Sequence, residues 1–199
     1  MARLLGSGSR WRTIFTCLFL LAFLGMIGAA AWSTWRYHSI ADDESHASTI
    51  IRSLATAEME YRMKDLDGNK VHDFWTADVA GLHGLGLIPR EVAEADARPL
   101  NPLVAKPVPY RGYYFIAMGA DESETPIENL RQDTDKKSGH VHHLTKFGFT
   151  AYPAEYGVTG RITVIVNQNN TMFRRHHFGN LMDYWPSDEE LRHDWGLGD

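Results

Sequence analysis

The stretch from Thr13 to Trp32, TIFTCLFLLAFLGMIGAAAW, holds twenty residues without a charged side chain. An α-helix rises about 1.5 Å per residue, so a stretch of this length crosses the roughly 30 Å hydrocarbon core of a bilayer. Three basic residues precede it: Arg3, Arg10 and Arg12. Because basic flanks stay on the cytoplasmic side, we expect residues 1–12 to be a cytoplasmic tail, 13–32 a transmembrane helix and 33–199 an exported domain.

The same stretch has an alternative interpretation as a cleaved signal peptide, since Ala29 to Ala31 supply the small residues of a cleavage site. Aromatic rings beside a basic residue are typical of a membrane interface, and Trp32, Trp35 and Tyr37 flank Arg36 in this way. We therefore predict one uncleaved span in the inner (cytoplasmic) membrane, with the C-terminal domain periplasmic or extracellular. Secretion after cleavage is the alternative.

The charge distribution divides the chain at Tyr37. Four of the 20 Lys and Arg residues precede it and all 25 Asp and Glu residues follow it, so the region from Tyr37 onward carries a formal charge of −9. An acidic domain does not attract nucleic acid, and we expect no nucleic-acid partner. The single cysteine, Cys17, cannot form an internal disulfide. The exported domain must therefore fold on its own hydrophobic core.

Residues recur at helical spacing between Ala47 and Tyr61, which predicts an amphipathic helix over about 42–64. The stripe contains Ala47, Ile50, Ile51, Leu54, Ala57, Glu58 and Tyr61. Glu58 is its one charged member. Because few residues separate this helix from the apolar stretch, one long helix, half in lipid and half amphipathic, is consistent with the pattern.

The segment from Asp65 to Asp73 predicts either a calcium loop or a polar turn. Oxygen ligands at positions 1, 3, 5 and 9, with a backbone carbonyl at position 7, are typical of calcium loops. The corresponding residues are Asp65, Asp67, Asn69, Asp73 and, for the carbonyl, Val71. Lys70 stands where the pattern has Gly, and Thr76 where it has Glu. The alternative is a turn that ends the helix, since Asp, Gly and Asn are turn residues.

The second half of the chain predicts an antiparallel sheet over about residues 110–178. Aromatic and β-branched residues are concentrated in four segments: Tyr110–Met118, Lys146–Tyr152, Arg161–Asn167 and Thr171–Phe178. We expect one face of the sheet to pack on the helix and the other to be exposed. Residues of about 120–145 are polar and without periodicity, which predicts a long surface loop. The predicted fold class is α+β.

His140 and His142 alternate in an H-x-H-H run, so in an extended segment they share a side and supply two ligands for a transition metal. The alternative is a pair of ordinary loop histidines, because no cysteine and no H-E-x-x-H spacing accompanies them. The sequence contains no G-x-S-x-G nucleophile motif and no glycine-rich phosphate loop. We therefore expect no catalysis.

Three stretches carry a resemblance to a known family: PYRGYYF at 109–115, FGFTAYPAEYGVTG at 147–160 and ITVIVN at 162–167. They resemble the G-Y-Y-F/Y strand, the A-Y/W-P-A-x-Y-G-x-(S/T)-G turn and the T-F-I-V-N strand of the bacterial family catalogued as domain of unknown function 2950. The resemblance covers about residues 109–175. That family has no assigned catalytic residues, so the resemblance implies none here.

The order of elements is similar to that of type IV pilins and type II secretion pseudopilins, in which an apolar helix continues as an amphipathic helix under a small antiparallel sheet. The segment from Ile51 to Asp67 resembles the helices of pseudopilin-like proteins. This resemblance implies a pilin-like fold and self-assembly through the exported domain. Some pseudopilins bind calcium in the head, which agrees in kind with the aspartate segment. The chain departs from prepilins because Arg10–Thr13 replaces the Gly before the apolar run, which contains no Glu.

Together these patterns predict a membrane-anchored, exported, pilin-like structural or interaction module of the bacterial cell envelope. The aromatic strand at 113–115 and the loop at 120–145 are the expected contacts with a protein partner or a second copy. The alternative is an anchored sensor head that binds a ligand or calcium. A third alternative, an envelope hydrolase, has no motif to support it.

Overall fold

The structure is a computed structural model that describes residues 7–100, 104–134, 139–176 and 181–198. The chain forms two compact units, Met1–Ser39 and Ile40–Asp199. The helices are α1 (Ser7–Lys64), α2 (Ala80–Gly84), α3 (Arg90–Glu94) and α4 (Asp188–Asp194). The strands are β1 (Phe74–Trp75), β2 (Tyr113–Ala117), β3 (Ala120–Asp121), β4 (Glu128–Asn129), β5 (Asp133–Thr134), β6 (Val141–His143), β7 (Gly148–Pro153), β8 (Ile162–Asn167), β9 (Met172–His176), β10 (Tyr184–Trp185) and β11 (Gly196–Leu197). The α+β prediction is confirmed.

The first unit is helical throughout its described residues and belongs to α1. Its apolar side chains are exposed all round the helix; for example, Phe15, Phe19 and Leu21 are 65%, 70% and 66% exposed. By length and composition, the part of the chain that the structure describes contains one helix able to cross a membrane, and it is α1. The helix continues without a boundary from the apolar stretch through residue 42 to Lys64, so the expectation of one long helix, apolar in its first part and amphipathic in its second, is confirmed.

In the second unit the final turns of α1 contribute a buried stripe. Ala47, Ile51, Leu54 and Tyr61 are at most 1% exposed and pack in the main hydrophobic core. Arg62 and Lys64 lie in the last turn, where their charges complement the helix dipole. The backbone then turns at Asp65, whose φ is 47°, and at Gly68, whose φ is 68°. The predicted amphipathic character of this segment is confirmed.

A five-stranded antiparallel sheet in the order β11-β9-β8-β7-β2 forms the centre of the second unit. Residues that alternate along β8 pack into two different cores: Val164 and Val166 join α1 in the main core, and Ile165 joins Trp185 and Trp195 in a second core. The second face of the sheet is therefore covered, and the expectation that it is exposed is wrong. The reason is the C-terminal segment, whose rings are apolar enough to form a core of their own.

The predicted polar loop at about 120–145 instead contains four short strands. Strands β3 and β4 pair with each other and β3 with β10, while β5 and β6 pair with each other and β6 with β1. A strand of two or three residues is too short to show alternation in a sequence, which explains why none was predicted here. Part of the predicted loop, residues 135–138, lies outside the described residues, as do residues 177 and 178 of the last predicted strand.

The aromatic strand β2 is also more buried than expected. Tyr113 and Phe115 are 0% exposed, so they cannot contact a partner, and only Tyr114 between them is half-buried. The Tyr113 hydroxyl donates to the Ile162 carbonyl at 3.0 Å, and a Cβ added at Gly160 would lie 2.2 Å from that hydroxyl. Glycine at position 160 is thus required by the close approach of the buried tyrosine.

Candidate functional site

Pairing of β1 with β6 brings together two segments that the sequence analysis considered separately. Trp75 is opposite His142 and Phe74 is opposite His143 in the antiparallel register. Asp73, directly before β1, places its Oδ2 2.7 Å from Nδ1 of His142. Asp73 is 1% exposed and His142 is 9% exposed. The aspartate segment and the histidine run therefore meet in a buried carboxylate–imidazole pair.

Helix α1 contributes two more polar side chains to this place. Oε2 of Glu58 accepts the backbone N–H of Trp75 at 2.8 Å, and Glu58 is 0% exposed. The ring of Tyr61 lies edge-on to the ring of Trp75, with 6.0 Å between centroids. The ring of His140 lies against Trp75 as well, at 4.6 Å. We call Glu58, Tyr61, Asp73, Trp75 and His142 the buried polar cluster.

Burial determines the electrostatics of the buried polar cluster. Loss of hydration raises the pKa of Glu58 well above its ordinary value, and the neighbouring Asp73 raises it further, while the Trp75 hydrogen bond opposes both effects. The pKa of Asp73 is also raised by burial, although Asn69 and His142 lower it. Burial and the nearby acids raise the pKa of Tyr61. The cluster therefore favours carboxyl groups that keep a proton.

Several polar atoms of this region have no hydrogen-bond partner among the described residues. Among them are Oε1 of Glu58, Nε2 of His142 and, beside the cluster, Oγ1 of Thr76. Most buried polar atoms in native proteins are paired, so a group of unpaired ones indicates a place where protons or water complete the network. Chemically, the Asp73 carboxyl and the His142 imidazole are close enough to share a proton, and Asp73 acts on Glu58 through its charge.

The aspartate segment itself is a turn whose oxygens bond to its own backbone. The carboxylate of Asp65 accepts the N–H of Lys70 at 3.0 Å, and Oδ1 of Asn69 accepts the N–H of Val71 at 2.6 Å. Oδ2 of Asp67 accepts the side-chain amide of Asn69 at 2.8 Å. These contacts match the polar-turn alternative in the sequence analysis.

Within the described ranges, no group of three or more His, Cys, Asp or Glu side chains is arranged to hold a metal ion. In the aspartate segment the Asn69 side-chain amide lies between Asp67, at 2.8 Å, and Asp73, at 3.4 Å. Calcium binding by the aspartate segment and transition-metal binding by His140 and His142 stay predictions. The structure does bring Asp73 and His142 together, which neither prediction contained.

A second polar assembly lies around Lys146 and was missed by the sequence analysis. Nζ of Lys146 lies 2.9 Å from Asp121, 3.2 Å from Glu124 and 2.7 Å from Glu128. Burial lowers the pKa of Lys146, but its hydrogen bonds to the three carboxylates outweigh this and the pKa is raised. The partners are 18 to 25 residues away in sequence, so no local pattern could have identified them.

Beside Lys146 is a cavity of about 270 Å³. Its apolar lining comes from Leu130, Phe147, Phe173, Trp185 and Leu191. Its polar lining comes from Asp121, Ser123, Glu124, Lys146, Asp188 and the turn between β8 and β9, Asn167–Asn169. We call this the Lys146 cavity. It lies on the side of the sheet that carries the second core.

Comparison with known proteins identifies one family. A family model described as "Protein of unknown function (DUF2950)" matches residues 29–182, which is more than half of the chain. The resemblance seen at 109–175 is confirmed and extends toward the N-terminus over the buried polar cluster. No curated protein and no solved structure matches the chain. The pilin resemblance therefore stays a prediction.

Proposed function

The chain belongs to the DUF2950 family, and on that premise we propose that it is a membrane-anchored envelope protein whose exported domain is a non-catalytic interaction module. The N-terminal helix holds the domain at the membrane surface. The domain, in turn, presents a binding surface to a partner on the exported side. Self-assembly of the domain in the manner of a pilin is one form that this function can take.

The observation that carries the proposal is the exposure of the apolar helix. Large side chains from Ile14 to Ile27 are 48% to 70% exposed in a stretch without charge. Water-soluble proteins rarely leave an apolar surface of this size uncovered. Lipid can surround such a helix without leaving backbone polar groups unpaired, because a helix makes its backbone hydrogen bonds within itself. The basic residues before it favour an exported C-terminal domain.

The charged groups of the domain support a binding role over catalysis. Glu58 and Asp73 are enclosed between α1 and the β1–β6 pair, where a substrate has no access. Lys146 is held by three carboxylates, which keeps it protonated and removes it as a base or nucleophile. Glu58, Asp73 and Lys146 are thus occupied in holding the fold.

The mature N-terminus provides the test. The full chain with a C-terminal tag is expressed, membranes are isolated, and the intact mass is measured. A chain that begins at or near Met1 in the membrane fraction supports the proposal. A chain that begins at Trp32 in the soluble fraction contradicts the anchor.

Ala31→Leu is the matched control, since it leaves the segment apolar but removes a small residue that signal peptidase requires. If the wild-type chain is uncleaved, the masses of the variant and the wild type should differ only by the substituted side chain. Appearance of a longer product only in the variant would show that the wild-type chain is cleaved. Cleavage between residues 6 and 12 would instead indicate prepilin-like processing.

A second candidate function is an anchored sensor head, and the Lys146 cavity is the observation that favours it. In another version of this sensor function, the aspartate segment binds calcium. A ligand that binds only the folded state raises the melting temperature. Calcium at about 1 mM, the range of extracellular calcium modules, should raise it in the wild type and not in Asp67→Asn if this version is correct. Equal melting temperatures with and without calcium would exclude it.

A further inference from the structure

The Lys146 cavity combines features that select a particular chemistry. Its volume of about 270 Å³ is slightly below the usual range of ligand pockets, so it accommodates one ring-sized group rather than a large ligand. Phe173 and Trp185 line it, with 5.9 Å between ring centroids and 67° between ring planes. Phe173 is half-buried and lines the cavity.

The charges around the cavity disfavour an anionic ligand. Asp121, Glu124 and Asp188 line it, against a single cation, Lys146. That cation is already paired with carboxylates, and the hydrogen bonds from Lys146 and Ser123 lower the pKa of Asp121 although burial alone would raise it. A phosphate or carboxylate would therefore meet a surplus of negative charge.

A simple cation is disfavoured as well, because Nζ of Lys146 occupies the position between the carboxylates. What remains is a neutral ligand that both donates and accepts hydrogen bonds. Gln168 and Asn169 add side-chain amides that do both. Oδ1 of Asn167 accepts the N–H groups of Asn169 at 3.0 Å and of Thr171 at 3.2 Å, which fixes the turn that presents these amides.

We propose that the Lys146 cavity binds a neutral saccharide, with the ring hydroxyls on the carboxylate and amide groups and the ring C–H face on Phe173. A saccharide can contact the hydrogen-bond donors, the acceptors and the aromatic surface of the cavity at the same time. An apolar ligand would leave the polar groups unpaired, and an ion would not contact the aromatic surface. Saccharide binding deepens the proposed function, on which it rests, by assigning the exported domain a glycan of the cell envelope as its partner.

The variant Asp188→Asn tests the proposed contact between the saccharide and a carboxylate of the cavity. Glu189→Gln is its control. Both acids are exposed and both lie in the first turn of α4, so both changes remove the same helix-dipole interaction. Only Asp188 lines the cavity. Phe173→Leu removes the ring and keeps an apolar side chain, and thermal melting shows whether the variant remains folded.

The full chain is prepared in a detergent without sugar groups, and saturation-transfer NMR is recorded with cellobiose, maltose and N,N′-diacetylchitobiose. We expect saturable binding of at least one of them, weakened roughly tenfold in Asp188→Asn and unchanged in Glu189→Gln. Phe173→Leu should remove the signal while it remains folded. Galacturonate, spermidine and trialanine are the anionic, cationic and peptide comparators.

Absence of binding by all three disaccharides at roughly 10 mM would overturn the proposal. Equal weakening in Asp188→Asn and Glu189→Gln would do the same, as would binding of spermidine or trialanine alone. These outcomes are independent of the mature N-terminus. A membrane-anchored chain without saccharide binding refutes this inference only, whereas a cleaved chain that binds saccharide refutes the anchor only.

Discussion

Replacement of Glu58 by Gln tests the buried polar cluster. Glu58 is 0% exposed, and burial raises the pKa of its carboxyl well above the ordinary value. An acid whose pKa is higher in the folded state stabilises the fold at low pH and loses that contribution as the pH rises toward the folded-state pKa. The free energy of unfolding then falls by about 1.4 kcal/mol per pH unit between the two pKa values.

Gln has no proton to lose, and its side-chain oxygen still accepts the N–H of Trp75. As the pH rises above the ordinary pKa of Glu toward the raised folded-state value, the free energy of unfolding of Glu58→Gln should therefore rise relative to the wild type by about 1.4 kcal/mol per pH unit. Glu58→Ala removes the acceptor as well. It should be less stable than Glu58→Gln by about 1–3 kcal/mol at every pH, because a buried N–H is left unpaired.

The assay is urea unfolding of the full chain in micelles, followed by tryptophan fluorescence at several pH values. Subtracting the wild-type curve cancels the contributions of all other titrating groups. Parallel curves for wild type and Glu58→Gln would show that Glu58 titrates alike in the folded and unfolded states, contrary to the prediction. A Glu58→Ala variant as stable as Glu58→Gln would show that the Trp75 hydrogen bond contributes nothing.

Three further predictions concern the framework around the site. Gly160→Ala should lower the free energy of unfolding by about 2 kcal/mol or more, since the new Cβ would lie 2.2 Å from the Tyr113 hydroxyl. Gly157→Ala is the control in the same urea assay, because an added Cβ there is strained only by the positive φ of the residue. Thr150→Val should lower the free energy of unfolding by about 1 kcal/mol, because the Thr150 hydroxyl donates to the Met182 carbonyl at 2.8 Å in the interior. Unchanged stability would mean that this hydrogen bond does not help to hold the C-terminal segment on the sheet. Burial raises the pKa of Asp96 to about 6, although backbone N–H groups including Ala80 lower it, so its protonated form stabilises the fold at low pH. The free energy of unfolding should fall by about 3 kcal/mol as the pH rises from 4 through 6. Asp96→Asn should remove this pH dependence in urea unfolding.

The sequence predicted those elements whose pattern is local. The stripe from Ala47 to Tyr61 repeats at 3.6 residues and defines the buried face of α1. Strand β8 alternates, and its turn to β9 is asparagine-rich, so both were predicted to within a residue. The end of α1 at Lys64 followed from the turn residues after it.

The candidate sites depend on contacts that no local pattern contains. Glu58 was noticed as a charge on an apolar stripe, but its partner Trp75 is 17 residues away. His142 and Asp73 were predicted as members of two different metal sites, and only the pairing of two short strands brings them together. Lys146 and its carboxylates meet across a segment that the sequence described as a loop. Each of these contacts is a product of tertiary pairing, which a periodicity cannot reveal.

The proposed function requires that the folded domain lie on the exported side of the membrane. Cys17→Ala removes the only cysteine, and Glu155→Cys then places one thiol on an exposed turn of the domain. Ser9→Cys in the basic tail is the control. In intact spheroplasts, a membrane-impermeant maleimide should label Glu155→Cys and leave Ser9→Cys unlabelled until the membrane is lysed. Labelling of Ser9→Cys alone in intact spheroplasts would place the domain in the cytoplasm and contradict the proposed function.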